Sequence, residues 1–296
     1  LDAYIADAGI NLADFNGITD QVTVDGSLYE LPFRSDYWLI YYNKDVFDAA
    51  GIAYPSNDMT IEDYDALARQ LTDTTYGSQV YGCHYHTWRS AVELFGILDG
   101  KHSILDGNYD WMIPYYDMIL SEEDDGVCQT YTDLSTEGLH YSAAFSNGNV
   151  AMMNMGSWFI STLISNLDSG EYDSSLCGNW GIASYPHPDG AEAGSTIATI
   201  TGLAVTSASA NKDAAFDFVN WVSGTEGAKV MASTGNFPAI MTDDVINTIA
   251  GMAGFPTDES SKEALNITNA YLEVPYAENV SEINSILDTY HTSIMN

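Results

Sequence analysis

Positive charge is scarce in this chain. Its 296 residues include 8 Lys and Arg against 42 Asp and Glu, a formal net charge of −34. Such a surface repels phosphate backbones and anionic lipid head groups, which argues against nucleic acid or a membrane surface as a partner. The excess acid reads as a solubility device, since a preference for cationic ligands needs a local cluster that net charge does not reveal. Cysteine is scarce too. Cys83, Cys128 and Cys177 are odd in number and far apart, so they spell neither a disulfide framework nor a zinc-ligand spacing, and a single bridge stays open. No run approaches the ~18 apolar residues that span a bilayer, and no basic, apolar leader stands at the start. The chain opens in mid-pattern at LDAYIADAGINLADF and stops inside a helical pattern at DTYHTSIMN, as expected of a fragment trimmed at both ends. A Gly-x-Ser-x-Gly elbow, a P-loop and a Gly-x-Gly-x-x-Gly turn are all missing. Carboxylates are so abundant that a glycosidase pair carries no signal without geometry.

Apolar residues make up 46 % of the chain and aromatics 12 %, with 20 Tyr and 6 Trp. That is enough for a real core and for one large or two ordinary domains. Val22 and Val24 flank an Asp25-Gly26 turn from Leu28, Tyr29 and Leu31, which reads as a hairpin. The run Tyr37–Tyr42 reads as a buried strand, after which Asn43 opens a short helix closed at Gly51. Thr60 and Asp63 form a capping-box pattern ahead of Ile61, Tyr64, Leu67, Ala68 and Leu71 at helical spacing. Strands are predicted at 80–85, 150–155, 181–185 and 203–206. Helices are predicted at 88–98, 111–120, 141–145, 158–167, 211–223, 225–233 and 282–294. The acidic run Glu122–Asp125 reads as a solvated loop. Alternating strands and helices predict α/β layers with mostly parallel sheets.

Four stretches together resemble the family 1 extracellular solute-binding proteins, the group that contains the maltose-binding protein. They are Gly26–Pro32 running on through Leu39–Phe47 to Ala50–Ile52; Phe145–Met153 followed by Gly156-Ser157-Trp158; Gly181–Ala183 with Pro186–Gly190; and Gly202–Val205 with Asn211–Ala215, Phe218-Val219 and Gly235–Ala239. Their order and spacing carry the resemblance more than any one of them. It implies a two-lobed, type II-like periplasmic-binding-protein α/β fold with a hinge of several crossings and an N-terminal lobe incomplete in this fragment. The N-terminal lobe would comprise 1–36 and 200–260, and the C-terminal lobe 37–199 and 261–296. The crossings would fall near Ser35–Tyr37, near Thr199–Gly202 and between about Pro256 and Ala264. The resemblance implies no catalysis and no cofactor. It implies a monomer outside the cell or in the periplasm, lipid-anchored or free, that hands a carbohydrate to ABC permease subunits with their ATPase.

A sugar needs flat apolar partners for its C–H faces and carboxylates, amides or Arg for its hydroxyl edges. By analogy with the family, Asp36 at the first crossing would hydrogen-bond the sugar, or else pair with Arg34. Tyr37 and Trp38 are strand neighbours on opposite faces, so one of them lines the cleft. Trp158, in Gly-x-Trp at a strand-to-helix turn, is the expected stacking residue. His86, Trp88 and Arg89 follow a strand end, where α/β sheets bind ligands. His84 and His86 share a strand face, but no third metal ligand is evident. Asn236 and Phe237 would sit at the cleft rim, and Glu278 and Asn279 precede the last helix. Val280 and Ser281 stand there where the family presents an aromatic, which argues against a simple maltose-type site. A secreted glycoside-active enzyme, or a polyamine or ferric-ion binder on the same scaffold, are the alternatives.

Overall fold

The computed structural model describes residues 1–15, 17–75 and 77–296. The run Tyr37–Tyr42 forms the middle of one long strand, β1 (Glu30–Asn43), buried without a break from Ser35 to Asn43. A strand covered on both faces needs continuous apolar sequence rather than alternation, which YWLIYY supplies. Among the described residues five further strands follow: β2 (Tyr81–His84), β3 (Val150–Gly156), β4 (Trp180–Ser184), β5 (Ser195–Ala204) and β6 (Asn269–Leu272).

β1 belongs to two sheets in turn. Its first half, Glu30–Tyr37, pairs with β5, and β6 lies parallel to β5. Its second half lies between β3 and β4, and β2 lies parallel to β3. The exchange of partners falls between Tyr37, opposite Ala198 of β5, and Trp38, opposite Gly156 of β3. The register shifts between Pro32 and Arg34, where proline already lacks the N–H that a regular ladder needs.

Strand directions differ from expectation. β1 is antiparallel to its neighbours β3, β4 and β5, whereas the β2–β3 and β5–β6 pairs are parallel. Alternation of strands and helices does not fix the end of the sheet at which each strand returns. The hairpin at Val22–Leu31 also shrinks to one bridge between Val24 and Ser27. Asp25 and Gly26 do take positive φ, 50° and 79°, as a two-residue turn requires. Leu28 and Leu31, however, are buried in the main core instead of extending a ribbon. The strand expected at 203–206 is the end of β5, which stops at Ala204.

The helical starts follow local chemistry. The Asn43 side chain accepts from the Asp45 N–H, and Gly51 ends that helix in the left-handed region. Thr60 and Asp63 form the reciprocal capping box. The acidic run Glu122–Asp125 is not a solvated loop. The helix Ile113–Asp124 extends into it, with Tyr116, Ile119 and Glu122 on its buried face. Burial pushes the Glu122 carboxyl up to about 8. A mean over four acids hides the helical spacing that turns one of them inward.

The last helix, Val280–Met295, is fastened by polar contacts. His291 Nδ1 lies 2.9 Å from the Tyr116 hydroxyl, and Arg89 Nε lies 2.9 Å from Asp288. Burial lowers the His291 pKa to about 4, with the Thr87 backbone opposing. The folded value thus lies below the unfolded one of about 6.5, so folding favours the neutral ring. Its contribution is complete above pH ~6.5 and is lost as pH falls toward ~4, by at most ~1.4 kcal/mol per pH unit. His291→Phe should flatten the decline of stability between these pH values, measured by urea unfolding. An unchanged slope would remove His291 from the acid sensitivity of the fold.

Candidate ligand-binding site

The point where β1 changes sheets is held by Ser157, the first residue after β3. Its N–H donates to the Tyr37 carbonyl at 2.8 Å, and its Oγ accepts from the Tyr37 N–H at 3.2 Å. The same Oγ donates to Asp36 Oδ1 at 3.0 Å. Arg34 Nη2 donates to Oδ1 at 3.2 Å, and Arg34 Nε lies 2.7 Å from Oδ2. Asp36 is 5 % exposed. Burial raises its pKa, against the lowering effects of Arg34 and Ser157. The segment Phe237–Ala239 docks on the other side. Ser35 N–H donates to Phe237 O at 3.1 Å, and Ala239 N–H to Phe33 O at 3.0 Å.

An aromatic wall grows outward from this node. Buried Trp38 meets Trp158 edge-on, with centroids 5.5 Å apart. Trp158 tilts against Trp88 at 6.4 Å. Trp88 meets His86 at 4.5 Å and Tyr141 at 5.6 Å, and His86 reaches His140 at 5.7 Å. Gly156 makes the Trp158 position available, because a Cβ there would lie 2.1 Å from the indole. Trp158 and His86 are half-buried, while Trp88 is 39 % exposed and His140 is exposed. The wall therefore runs from core to solvent, as a surface must if it is to offer flat apolar faces to a wet ligand.

Two histidines in this region are held neutral. Burial, then His86, lowers His84 to about 3; burial, then His140, lowers His86 to about 4. Both His84 ring nitrogens are buried without a hydrogen-bond partner. Among the described residues these histidines do not join a three-ligand group.

The structure brings Asp36, Trp38, His86, Trp88 and Trp158 into one neighbourhood. Tyr37 is buried and meets Phe237 edge-on at 6.1 Å; Phe237 is fully buried. Tyr37 also borders a concavity of about 790 Å³ with Ile18, Gln21, Met241 and Asn266. Asn236 donates to Thr234 and lines a separate groove with Arg34 and Trp221. Arg89 departs from expectation. It is 7 % exposed and its donors are committed to Asp288, to Asn284 and to Glu93, with which it forms a buried pair. With few cations in the chain, this one closes the core under the last helix. Glu278 and Asn279 are exposed, and Asn279 starts that helix without a side-chain cap. Residue-type reasoning passed over Ser157, His140 and Tyr141. The His140-Tyr141 doublet at a helix start was the available signal.

An aromatic wall and a buried carboxylate thus meet on an α/β scaffold, where the sheets exchange partners. Comparison with known proteins gives the family. The profile of the bacterial extracellular solute-binding proteins matches residues 1–229, and the chain belongs to that family. These are non-catalytic solute binders, and the fold matches periplasmic-binding-protein architecture. A sugar transporter from Rhizobium etli, solved in an open conformation, is 48 % identical with a TM-score of 0.93. The match covers 99 % of this chain and 74 % of that one. An ABC substrate-binding protein from Listeria monocytogenes, in complex with cycloalternan, is 23 % identical with a TM-score of 0.78 over 100 % of this chain and 74 % of that one. The mannitol-binding protein of Pseudomonas aeruginosa is 24 % identical over 223 residues, 73 % of this chain. The chain spans about half the length of that curated relative, 49 %.

Ser157→Ala should cost about 1–3 kcal/mol in chemical denaturation, because it removes a donor from buried Asp36 and an acceptor from the Tyr37 N–H. A cost below ~0.5 kcal/mol would mean that the junction is held by the strand ladders alone.

Proposed function

We propose that this chain is the capture component of a bacterial carbohydrate ABC importer, binding a mono- or oligosaccharide and passing it to a permease driven by separate ATPase subunits. The observation that carries this reading is the wall Trp38–Trp158–Trp88 standing against Asp36 where β1 changes sheets. Indole faces suit the C–H faces of a pyranose, and a carboxylate suits its hydroxyls. Two of the relatives, a mannitol-binding protein and a substrate-binding protein in complex with cycloalternan, go with ligands of this polyhydroxylated class.

Closure would bend β1 and β5 together. Asp36 lies opposite Thr199 in their ladder, so the first two inferred crossings are neighbours. Residues 1–36 and 200–260 would form one lobe, and 37–199 with the last helix the other. β6 pairs with Ser195–Ala198 of β5, and Ser261 Oγ accepts from the Ile182 N–H; both partners lie within 37–199, which favours keeping the third crossing ahead of β6, between about 256 and 264. Hinge closure around a ligand is the behaviour the handling of solutes by periplasmic binding proteins is known for, and a ligand touching both lobes shifts the population toward the closed form. The protein would work in the periplasm or at the outer cell surface, where a lipid anchor is compatible with the same role.

A polyamine site would need several carboxylates converging, whereas Asp36 is already paired with Arg34. A thermal-shift panel on the full-length gene product should separate these ligands, using mono- and oligosaccharides with spermidine and ferric citrate as controls. A ligand at about 100 times its Kd adds ~2.7 kcal/mol, or several degrees in a protein of this size. Trp158→Ala, and independently Trp88→Ala, should weaken sugar binding by roughly thirtyfold, ~2 kcal/mol each. A shift with spermidine or iron and silence with every sugar would overturn the assignment.

A further inference from the structure

We propose that Cys83 and Cys128 form an intramolecular disulfide in the mature protein, leaving Cys177 as the free thiol. The proposal rests on the extracellular or periplasmic setting inferred above, since that is where a protein disulfide persists. The two cysteines are far apart in sequence, but the fold places them side by side. Cys83 is in β2, and its N–H donates to the Val127 carbonyl at 3.4 Å. The segment carrying Val127 and Cys128 turns back from the helix Ile113–Asp124. Gly126 takes a φ of 72°, and the Val127 N–H donates to Glu122 O at 2.7 Å. Arg69 holds Asp125 of the same turn at 2.6 Å.

The two sulfurs and a Glu122 carboxylate oxygen all lie within 4.8 Å of one another. Cys83 is fully buried and Cys128 is 2 % exposed. Cys177 is also buried, but in the short turn of helix ahead of β4 it leans on the Asp173 carbonyl. Cys83 and Cys128 are the pair brought together. The bond would close the loop 83–128 and tie the end of β2, just before His84 and His86 of the aromatic wall, to the helix Ile113–Asp124. Such a link removes freedom from the unfolded chain.

The step balances as a dithiol–disulfide exchange. One cysteine, as thiolate, attacks a protein disulfide of a thiol oxidoreductase and forms a mixed disulfide. The second then attacks the mixed disulfide, releasing the reduced dithiol. Two electrons pass to the oxidoreductase, and the thiol protons end on its sulfurs. Full burial in the finished fold places this step during folding, before β2 and the Gly126 turn close over the sulfurs.

The same three residues offer a rival chemistry. Neither carboxylate oxygen of Glu122 has a hydrogen-bond partner, and two thiolates with a carboxylate would suit a zinc ion. The test is made on the full-length protein exported with its native leader and purified without reductant or a histidine tag. Thiols are counted after denaturation, and metal content is measured on the same sample. The proposal predicts that reduction adds two reactive thiols per chain, and that the unreduced protein holds less than a tenth of an equivalent of zinc. Reduction should lower the melting midpoint by roughly 5–10 °C in the wild type. In Cys83→Ala/Cys128→Ala neither the midpoint nor the thiol count should respond to reductant, while Cys177→Ser should keep both responses and show one reactive thiol fewer than the wild type. No gain of thiols on reduction, with or without an equivalent of zinc, would overturn it. A failure here leaves the sugar panel unaffected, so it is distinguishable from failure of the receptor assignment.

Discussion

The fold depends on one strand being shared by two sheets. β1 gives its first half to β5 and its second half to β3 and β4, so a single stretch of backbone fixes how the two sheets meet. A strand can do this only if its middle tolerates burial on every side, and Ser35–Asn43 does. The junction still contains polar groups that must be satisfied. Ser157 and Arg34 do that for Asp36 and the Tyr37 amide. The carboxylate is thus a structural partner that Ser157 joins to the turn carrying Trp158. That role explains how a buried, raised-pKa acid persists instead of being replaced by an apolar side chain.

The chain spends its few cations sparingly. Arg34 goes to the sheet junction, Arg69 to Asp65 and Asp125, and Arg89 to Glu93 and the last helix. Lys44 meets Asp258, which tethers the helix after β1 to the segment ahead of β6. Lys44–Asp258, Arg69–Asp125 and Arg89–Asp288 join parts of the chain distant in sequence. The negative balance that remains sits on the surface, where it repels polyanions; the aromatic wall is the surface proposed for recognition. Burial holds His84 and His86 there neutral, which would suit an uncharged ligand.

Much of this was legible residue by residue. The unbroken apolar run announced β1, Asn43 and Gly51 bracketed a helix, and Thr60 with Asp63 announced a start that the structure forms reciprocally. Gly156-Ser157-Trp158 marked the turn at which an indole can fold back over a residue without a Cβ. What local pattern could not supply was direction and partnership. Strand orientation depends on the end of the sheet at which the chain returns. Arg89 looked like a cleft residue because its partners, Asn284 and Asp288, lie at the far end of the chain. Glu122 looked solvated because it stands in a run of four acids, of which Asp124 and Asp125 are exposed, while helical geometry turned it inward. His140 and Tyr141 reach the wall only through tertiary packing, and no spacing rule links them to Trp88.

The central claim is that a carbohydrate is recognised at the junction of the two sheets. The most direct measurement is a crystal structure of the full-length protein with the sugar that stabilises it most. The account predicts a sugar ring stacked on Trp158 with an edge against Trp88 and a hydroxyl within hydrogen-bond distance of Asp36. A sugar seated elsewhere, with Trp158 and Asp36 out of contact, would contradict it.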